Sequence, residues 1–453
     1  MSRGRPKEIR LNALEQGNPS FQAFGLWAHP RDKAVDYTSL RYWADFALLL
    51  ERGLFDNLFI ADVYGFPDVY RGNADGALRN GSQAPSLDPA VLLPGMAMVT
   101  ENLCFTMTGS ATYERPYQFA RRISTLDHLL GGRLGWNIVT SYLSSGARAM
   151  GLDGLIPHDR RYDMADEFLH GVYRLWEESW GEGALRKNKE SRIYAEPSKI
   201  RRIDLDGEFH RFSAIHAVEP SPQRTPVLFQ AGGSDRGRRF AATHAEGIYL
   251  NGTTTEIVRN KIAAMTKELA EVGRPRDSVK FFAGVSVFVD ETEALARARY
   301  NDYLRYSSFE GLISTMSGIM GIDLSQYPVD KPIEYEENDA NRSALEMFTR
   351  GNSWTVRQVL EEKALCGTNM AIVGSPTQVA DELINWMDET DLDGFNIARI
   401  VAHETYEHFI DLVVPVLQER GRYKTEYAPG TFRQKLLGID RIPDTHLAGS
   451  FRA

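Results

Sequence analysis

Short apolar runs and longer amphipathic stretches alternate along almost the whole chain. The runs Phe24–Trp27, Asn57–Ala61, Cys104–Ser110, Leu134–Thr140, Pro226–Ala231, Gly247–Asn251, Phe281–Val289 and Gly394–Ile400 are rich in Val, Ile, Phe and Leu. They end at glycine or polar residues and lack a helical period, so each predicts a strand. Between them, Tyr37–Arg52 sets Leu40, Trp43, Phe46, Ala47 and Leu50 on one stripe, as an amphipathic helix requires. Arg160–Trp176, Thr255–Val272, Thr292–Tyr306 and Thr377–Met387 follow the same pattern. Ser375-Pro376 and Asp88-Pro89 each place a capping side chain before a proline at the first helical position.

Eight strands alternating with helices predict an α/β fold, a parallel sheet closed into a (β/α)8 TIM barrel. An open doubly wound sheet is the competing architecture, but no G-x-G-x-x-G follows the first strand candidate. No internal repeat or low-complexity tract divides the chain, so residues 1–453 are expected to form a single barrel domain. Two interruptions, about 181–212 and about 307–368, break the rhythm. Insertions this long are expected to serve as lids over the C-terminal face of the barrel, where active sites of this architecture lie.

Composition narrows the class without naming it. With 453 residues, 43% hydrophobic and 25% charged, the chain can bury a large core. A net charge of −9 argues against a nucleic-acid binder. The N-terminus is basic but has no apolar signal core, and no run approaches the ~20 apolar residues of a membrane span. Cys104 and Cys366 have no partner at metal or disulfide spacing and are expected as buried thiols. A cytoplasmic location fits these features.

Candidate chemistry collects at the strand ends. "NLFIAD" ends on Asp62; "CFTMTGS" carries Thr106, Thr108 and Ser110 at period two; "RLGWNIVTS" presents Asn137, Thr140 and Ser141; "VLFQAGGS" ends on Ser234. The turn Gly232-Gly233-Ser234 leads into a helix bearing Arg236, Arg238 and Arg239. A strand end, a glycine turn and a helix N-terminus together favour an anion such as a phosphate. In "HDRRYDMADEF", His158 and Tyr162 stand at i and i+4, on one face of a helix start. "HETYEH" (403–408) is H-E-x-x-x-H, a spacing that points its two imidazoles apart, so it is read as a solvated helix start rather than a metal site. No nucleophile elbow or P-loop is present. A phosphate-friendly face without a protein nucleophile suits an enzyme whose cofactor carries the chemistry.

The blocks "ERGLFDNLFIAD", "RISTLDHLLGGRLGWNIVTS", "HDRRYDMADEF", "PSPQRTPVLFQAGGSDRGRRFAATHAEGIY" and "DGFNIA" resemble the bacterial-luciferase-like flavin monooxygenases. Within them the likeness is to the branch of nitrilotriacetate, dibenzothiophene-sulfone and dimethylsulfide monooxygenases, most of all the last. It extends from about residue 24 to 437. The resemblance implies reduced FMN as cofactor, delivered by a separate NAD(P)H-dependent flavin reductase. It also implies O2 as co-substrate through a C4a-(hydro)peroxyflavin, and a homo-oligomer, dimer or tetramer. Carried over by motif, the flavin contacts fall on Asp62, Thr108, His158, Tyr162, Gly233 and Ser234. Phe21 stands where several relatives carry histidine and Ile319 where the sulfone enzyme does, which leaves Asn137 and His29 as candidates to orient oxygen or substrate. Phe21, Trp27, Tyr64 and Ile319 are the expected pocket wall, apolar enough to suggest a small uncharged organosulfur or aromatic substrate. A deazaflavin-dependent oxidoreductase and a non-catalytic flavin binder are the alternatives on the same barrel.

Overall fold

The computed structural model describes residues 7–335, 338–349 and 354–452. Thirteen strands are present among them: β1 Arg10–Gln16, β2 Asn57–Ala61, β3 Cys104–Ser110, β4 Leu134–Val139, β5 Leu185–Asn188, β6 Ile193–Ala195, β7 Ile203–Asp206, β8 Arg211–Ala214, β9 Val227–Gln230, β10 Gly247–Leu250, β11 Lys280–Val289, β12 Met370–Gly374 and β13 Gly394–Ala398. Eight of them, β1-β2-β3-β4-β9-β10-β11-β13, pair in parallel, and β13 closes on β1 with Arg10 opposite Gly394. This is a (β/α)8 TIM barrel. β12 is an extra strand: the first half of β11 pairs with β13, and its second half, from Val285 to Val289, pairs with β12.

Alternation along the staves sorts side chains between two cores. Phe105 and Met107 of β3 and Leu134, Trp136 and Ile138 of β4 face the helices, where they join Trp43, Phe46, Phe119 and Phe168. Cys104 lies inside the barrel with Phe59, Val227, Phe229, Tyr249 and Phe282. The short helix Phe432–Leu437 plugs the N-terminal end by inserting Phe432 and Leu436 into that cluster. Both cysteines are buried and free, as the sequence predicts.

The first stave is not the expected one. Residues 24–27 form a turn in which Gly25 takes φ +89° and Leu26–Ala28 makes a short 3-10 helix; Phe24 packs under the cover of the barrel. The true first strand, β1, escapes recognition because its inward positions Asn12 and Gln16 are polar and only Leu11 and Ala13 face the helix layer. The expected solvated start at 403–408 is also corrected. His403 is buried and stacks on Phe46 at 4.8 Å, and burial pushes its imidazole down to about 3. Glu404 is held by Arg31 and by the Tyr303 hydroxyl. The loop 29–36 and the helix Glu293–Leu304 close over this helix start, which the local spacing does not reveal. The expected caps are present: Asp88 accepts from the Ala90 amide at 2.9 Å, and Ser375 forms a capping box with Gln378.

The two insertions take different places. Residues 309–335, 338–349 and 354–363 include helices Phe309–Met320, Arg342–Thr349 and Val356–Lys363, packed around a small core of their own with Leu312, Met316, Ile333, Leu345 and Phe348. They cover the C-terminal end; positions 336–337 and 350–353 of the expected lid lie outside the described residues. The 181–212 insertion does not join that cover. It leaves the far end of helix His158–Tyr173 and forms two antiparallel hairpins, β5–β6 and β7–β8. The second hairpin runs back along that helix, where the Glu208, Phe209 and His210 amides donate to the Glu167 carboxylate and Phe209 lies under the Arg160 guanidinium. No helix among the described residues is long and apolar enough to cross a membrane.

Candidate functional site

The C-terminal ends of the staves open into a cavity of about 280 Å³ beneath the cover. The staves β2, β3, β4 and β9 bring Asp62, Thr108, Asn137 and Gln230 to it. The loop after β1 adds Phe21, the turn after β9 adds Gly232, Gly233 and Ser234, and helix His158–Tyr173 adds its first turn. Ile319, Ala340 and Ala344 form the roof.

One end of the cavity is built for an anion. Two helices start there. Ser234 caps helix Asp235–His244 by accepting from the Gly237 amide at 3.1 Å, and its Oγ lies 3.4 Å from His158 Nε2. His158 is the first residue of its own helix; its Nδ1 lies 2.6 Å from Asp159, and its amide donates to the Asp339 carboxylate at 2.9 Å. Burial holds the His158 imidazole below its usual value, against the pull of Asp159. With Nδ1–H given to Asp159, Nε2 is left to accept the Ser234 hydroxyl proton. Tyr162 is 5.3 Å from His158, ring to ring, edge to face. A Cβ at Gly232 would meet the Gln230 amide at 2.6 Å, and one at Gly237 would meet the Tyr162 hydroxyl at 2.7 Å, so the backbone is as close as glycine permits.

Arg161, which no strand-end or helix-face pattern singles out, completes this end. Its side chain is buried yet makes no ion pair among the described residues. It donates to the carbonyls of Ile156 at 2.5 Å and Asp339 at 2.7 Å, and its Nε has no partner. Burial lowers its guanidinium. Its signal was in view, one turn from His158 in "HDRRYD". The arginines of the next helix behave as their spacing suggests: Arg236 pairs with Asp163 and Asp166, Arg238 with Asp235, and Arg239 faces solvent.

The other end offers amides. Thr108 Oγ1 donates to the Ile60 carbonyl and accepts from Asn137 Nδ2, both at 3.1 Å, which fixes the Asn137 amide and leaves its Oδ1 unpaired. Gln16 and Gln83, both more than nine-tenths buried, also line the cavity; Gln16 has neither amide atom paired, and Gln83 lacks a partner for Oε1. Three buried amides, each with at least one atom that has no protein partner, point to a ligand with a polar edge. Asp62 stands beside them, its carboxyl pushed up to about 7 by burial, with a smaller push from Asp88 and an opposing hydrogen bond from the Val63 amide. Gln16 is not legible in the sequence, because the polar inward positions of β1 hide its strand.

Three expected site residues lie elsewhere. His29 is buried against Tyr303 and Tyr306, 3.1 Å from Asp302, and does not line the cavity. Trp27 is more than a third exposed and donates to the Asn80 carbonyl. Tyr64 donates to Glu114, outside the cavity wall. Phe21 and Ile319 do line it. Thr140 and Ser141 also line it, and Ser141 pairs at 3.0 Å with Ser110, which does not. Among the described residues, no cluster of three His, Cys, Asp or Glu has metal-binding geometry.

A family model described as luciferase-like monooxygenase matches residues 21–392. This chain belongs to that family and is a flavin-dependent monooxygenase. It is 44% identical to the dimethyl-sulfide monooxygenase of Hyphomicrobium sulfonivorans over 98% of this chain and 94% of that one. The crystal structure of DmoA from that organism superposes with a TM-score of 0.92 over 98% of this chain and 96% of that chain. The long-chain alkane monooxygenase of Geobacillus thermodenitrificans is 42% identical over 98% of each chain. A riboflavin lyase solved with modified FMN and riboflavin is 34% identical, with a TM-score of 0.93 over 99% of this chain and 100% of that one.

Proposed function

We propose that this chain is the oxygenating component of a two-component system. It takes reduced FMN from a separate NAD(P)H-dependent flavin reductase and uses O2 to oxygenate a small uncharged organic molecule. The observation that carries this reading is the two-ended cavity: an anion seat at one end and unpaired amides at the other. That division fits FMN, which joins a phosphate tail to a ring system with a polar edge. Reduced FMN, when bound, supplies the electrons with which O2 is activated.

The chain's own groups then have distinct tasks. The Gly233 and Ser234 turn, Tyr162, His158 and Arg161 hold the phosphate at two helix N-termini. Gln16, Gln83 and Asn137 bind the polar edge of the ring, with Thr108 locking Asn137 in place. Asp62 acts beside the ring as a carboxyl able to hold or release a proton near neutral pH. Phe21 and Ile319 make the substrate wall, and the helical cover excludes water. Among the described residues the wall carries no Lys or Arg besides Arg161, which supports an uncharged substrate over a polycarboxylate. The names of two similar relatives, for a sulfide and for an alkane, support the same class. We take residues 1–453 as one barrel domain acting in the cytoplasm.

The test mixes protein with reduced FMN without oxygen, then adds oxygen with and without a panel of sulfides, sulfones, alkanes and aromatics. The expected result is flavin reoxidation at a rate unlike that of free reduced FMN, with an oxygenated product from one member of the panel. Reoxidation at the free rate with no product would overturn the proposal.

A further inference from the structure

The anion seat already holds a negative charge, and it comes from the cover. The Asp339 carboxylate accepts from the His158 amide at 2.9 Å, at the first turn of helix His158–Tyr173. The Asp339 carbonyl accepts from the Arg161 guanidinium at 2.7 Å. One residue of the roof segment thus takes two donors that the seat has to offer a ligand.

That segment has two sets of ties. One set holds it to the rest of the cover. Asn338 Nδ2 donates to the Met320 carbonyl at 3.0 Å, and its Oδ1 accepts from the Ala340 amide at 2.9 Å, which fixes a turn around Asp339. The Asn341 amide donates to the Ile319 carbonyl at 3.2 Å, and Asn341 Oδ1 accepts from the Ala344 amide at 3.1 Å as helix Arg342–Thr349 begins. The other set holds it to the barrel: Asp339 itself, and a looser link from Arg342 to Asp159 at 3.9 Å. Ala340 and Ala344 line the cavity roof, so a shift of Asp339 is a shift of the roof.

A carboxylate at a helix N-terminus is an ordinary cap where nothing else needs the place. Here the glycine turn and the N-terminus of helix Asp235–His244 converge on the same spot, with Ser234 Oγ 3.4 Å from His158 Nε2. Two anions on one helix start repel, and they do so strongly in a cavity with little water. A phosphate carries more charge than a carboxylate and has more acceptor oxygens, so the donors favour it.

We propose, on the reading of this seat as a phosphate site, that Asp339 is a stand-in anion which the cofactor phosphate displaces, coupling occupancy of the seat to the position of the roof. With Asp339 on the His158 amide, Ala340 and Ala344 are drawn towards the seat. With phosphate there, the segment keeps its bonds to Met320 and Ile319 and moves with the cover. The exchange also sets selectivity. Riboflavin ends in a hydroxyl and cannot replace a carboxylate, so it is refused the donors that FMN takes.

The test measures binding of oxidised FMN and of riboflavin, by flavin fluorescence, to the full chain and to Asp339→Asn, which keeps an acceptor oxygen but loses the charge. Hydrogen exchange of residues 338–345 is followed with each flavin and with inorganic phosphate. A melting curve establishes that the variant is folded. FMN affinity is expected to be at least about tenfold higher in the variant, with riboflavin affinity unchanged. In the wild type, FMN and inorganic phosphate should speed exchange of the segment, and riboflavin should not. Equal FMN affinity in the two proteins would overturn the proposal, as would a gain shared by riboflavin. So would slower exchange of the segment with phosphate bound, which would make Asp339 a cap that stays in place. Faster exchange with inorganic phosphate in a protein that binds no FMN would uphold the displacement and overturn the flavin reading instead.

Discussion

The two ends of the barrel each bury an arginine, and the two are treated in opposite ways. At the N-terminal end Arg433 is fully buried and saturated. It makes two hydrogen bonds to Glu246, at 2.7 and 2.8 Å, and donates to the carbonyls of Thr225 and Pro226, both at 2.9 Å. At the C-terminal end Arg161 is as deeply buried but has carbonyls alone and a free Nε. The Gln16, Gln83 and Asn137 amides, each with an atom lacking a protein partner, share its cavity. One end has spent its polar groups on the fold; the other holds them in reserve. A buried charge without a counter-charge costs stability, and it persists where a ligand supplies the missing partner.

That contrast can be broken by exchange. Arg433→Met should be the most damaging change, because it strands the Glu246 carboxylate in the interior. A loss of about 3–5 kcal/mol of stability is expected, read by denaturant unfolding. Arg161→Met should do the reverse. Its melting temperature should hold or rise, while affinity for FMN, followed by flavin fluorescence, should fall by about 2–3 kcal/mol. Gln16→Leu sharpens the comparison, since it removes an amide that the protein leaves unpaired. Stability should be unchanged or higher, and FMN affinity should fall by roughly 1 kcal/mol.

The smallest effect is set by pH. Asp62 is neutral below about 7 and charged above it. Beside an anionic cofactor its ionisation is repulsive, so FMN affinity should decline as pH rises through 7. Asp62→Asn should flatten that decline. The raised carboxyl also costs folding stability, a penalty absent below the unfolded-state value near 4 and complete above 7, so the variant should gain stability at alkaline pH.

Legibility in the sequence followed the same divide. Seven of the eight staves were visible because their outward faces carry Val, Ile, Phe and Leu in uninterrupted runs. β1 was not, since its inward Asn12 and Gln16 break the run. Around the cavity, residues attached to strand ends or to the start of a helix, such as Asp62, Thr108, Asn137, His158 and Ser234, were placed by local pattern alone. Those whose position depends on a long loop were not. His29 and Trp27 follow the turn after β1 away from the mouth, and Gln83 reaches it from a segment without periodic signal. The H-E-x-x-x-H stretch shows the same limit, because burial there comes from elements distant in sequence.

The ten-residue β11 bears on how such proteins diversify. After it the chain runs through helix Glu293–Leu304 and the entire cover, and then returns as β12 to the outer half of that same strand. Departure and return thus share one anchor, and the ring of eight staves closes through β13 without them. Everything between those points is a cassette. It can lengthen, shorten or be replaced during evolution without reopening a single hydrogen bond of the barrel, so one scaffold can take up new substrates by changing its roof.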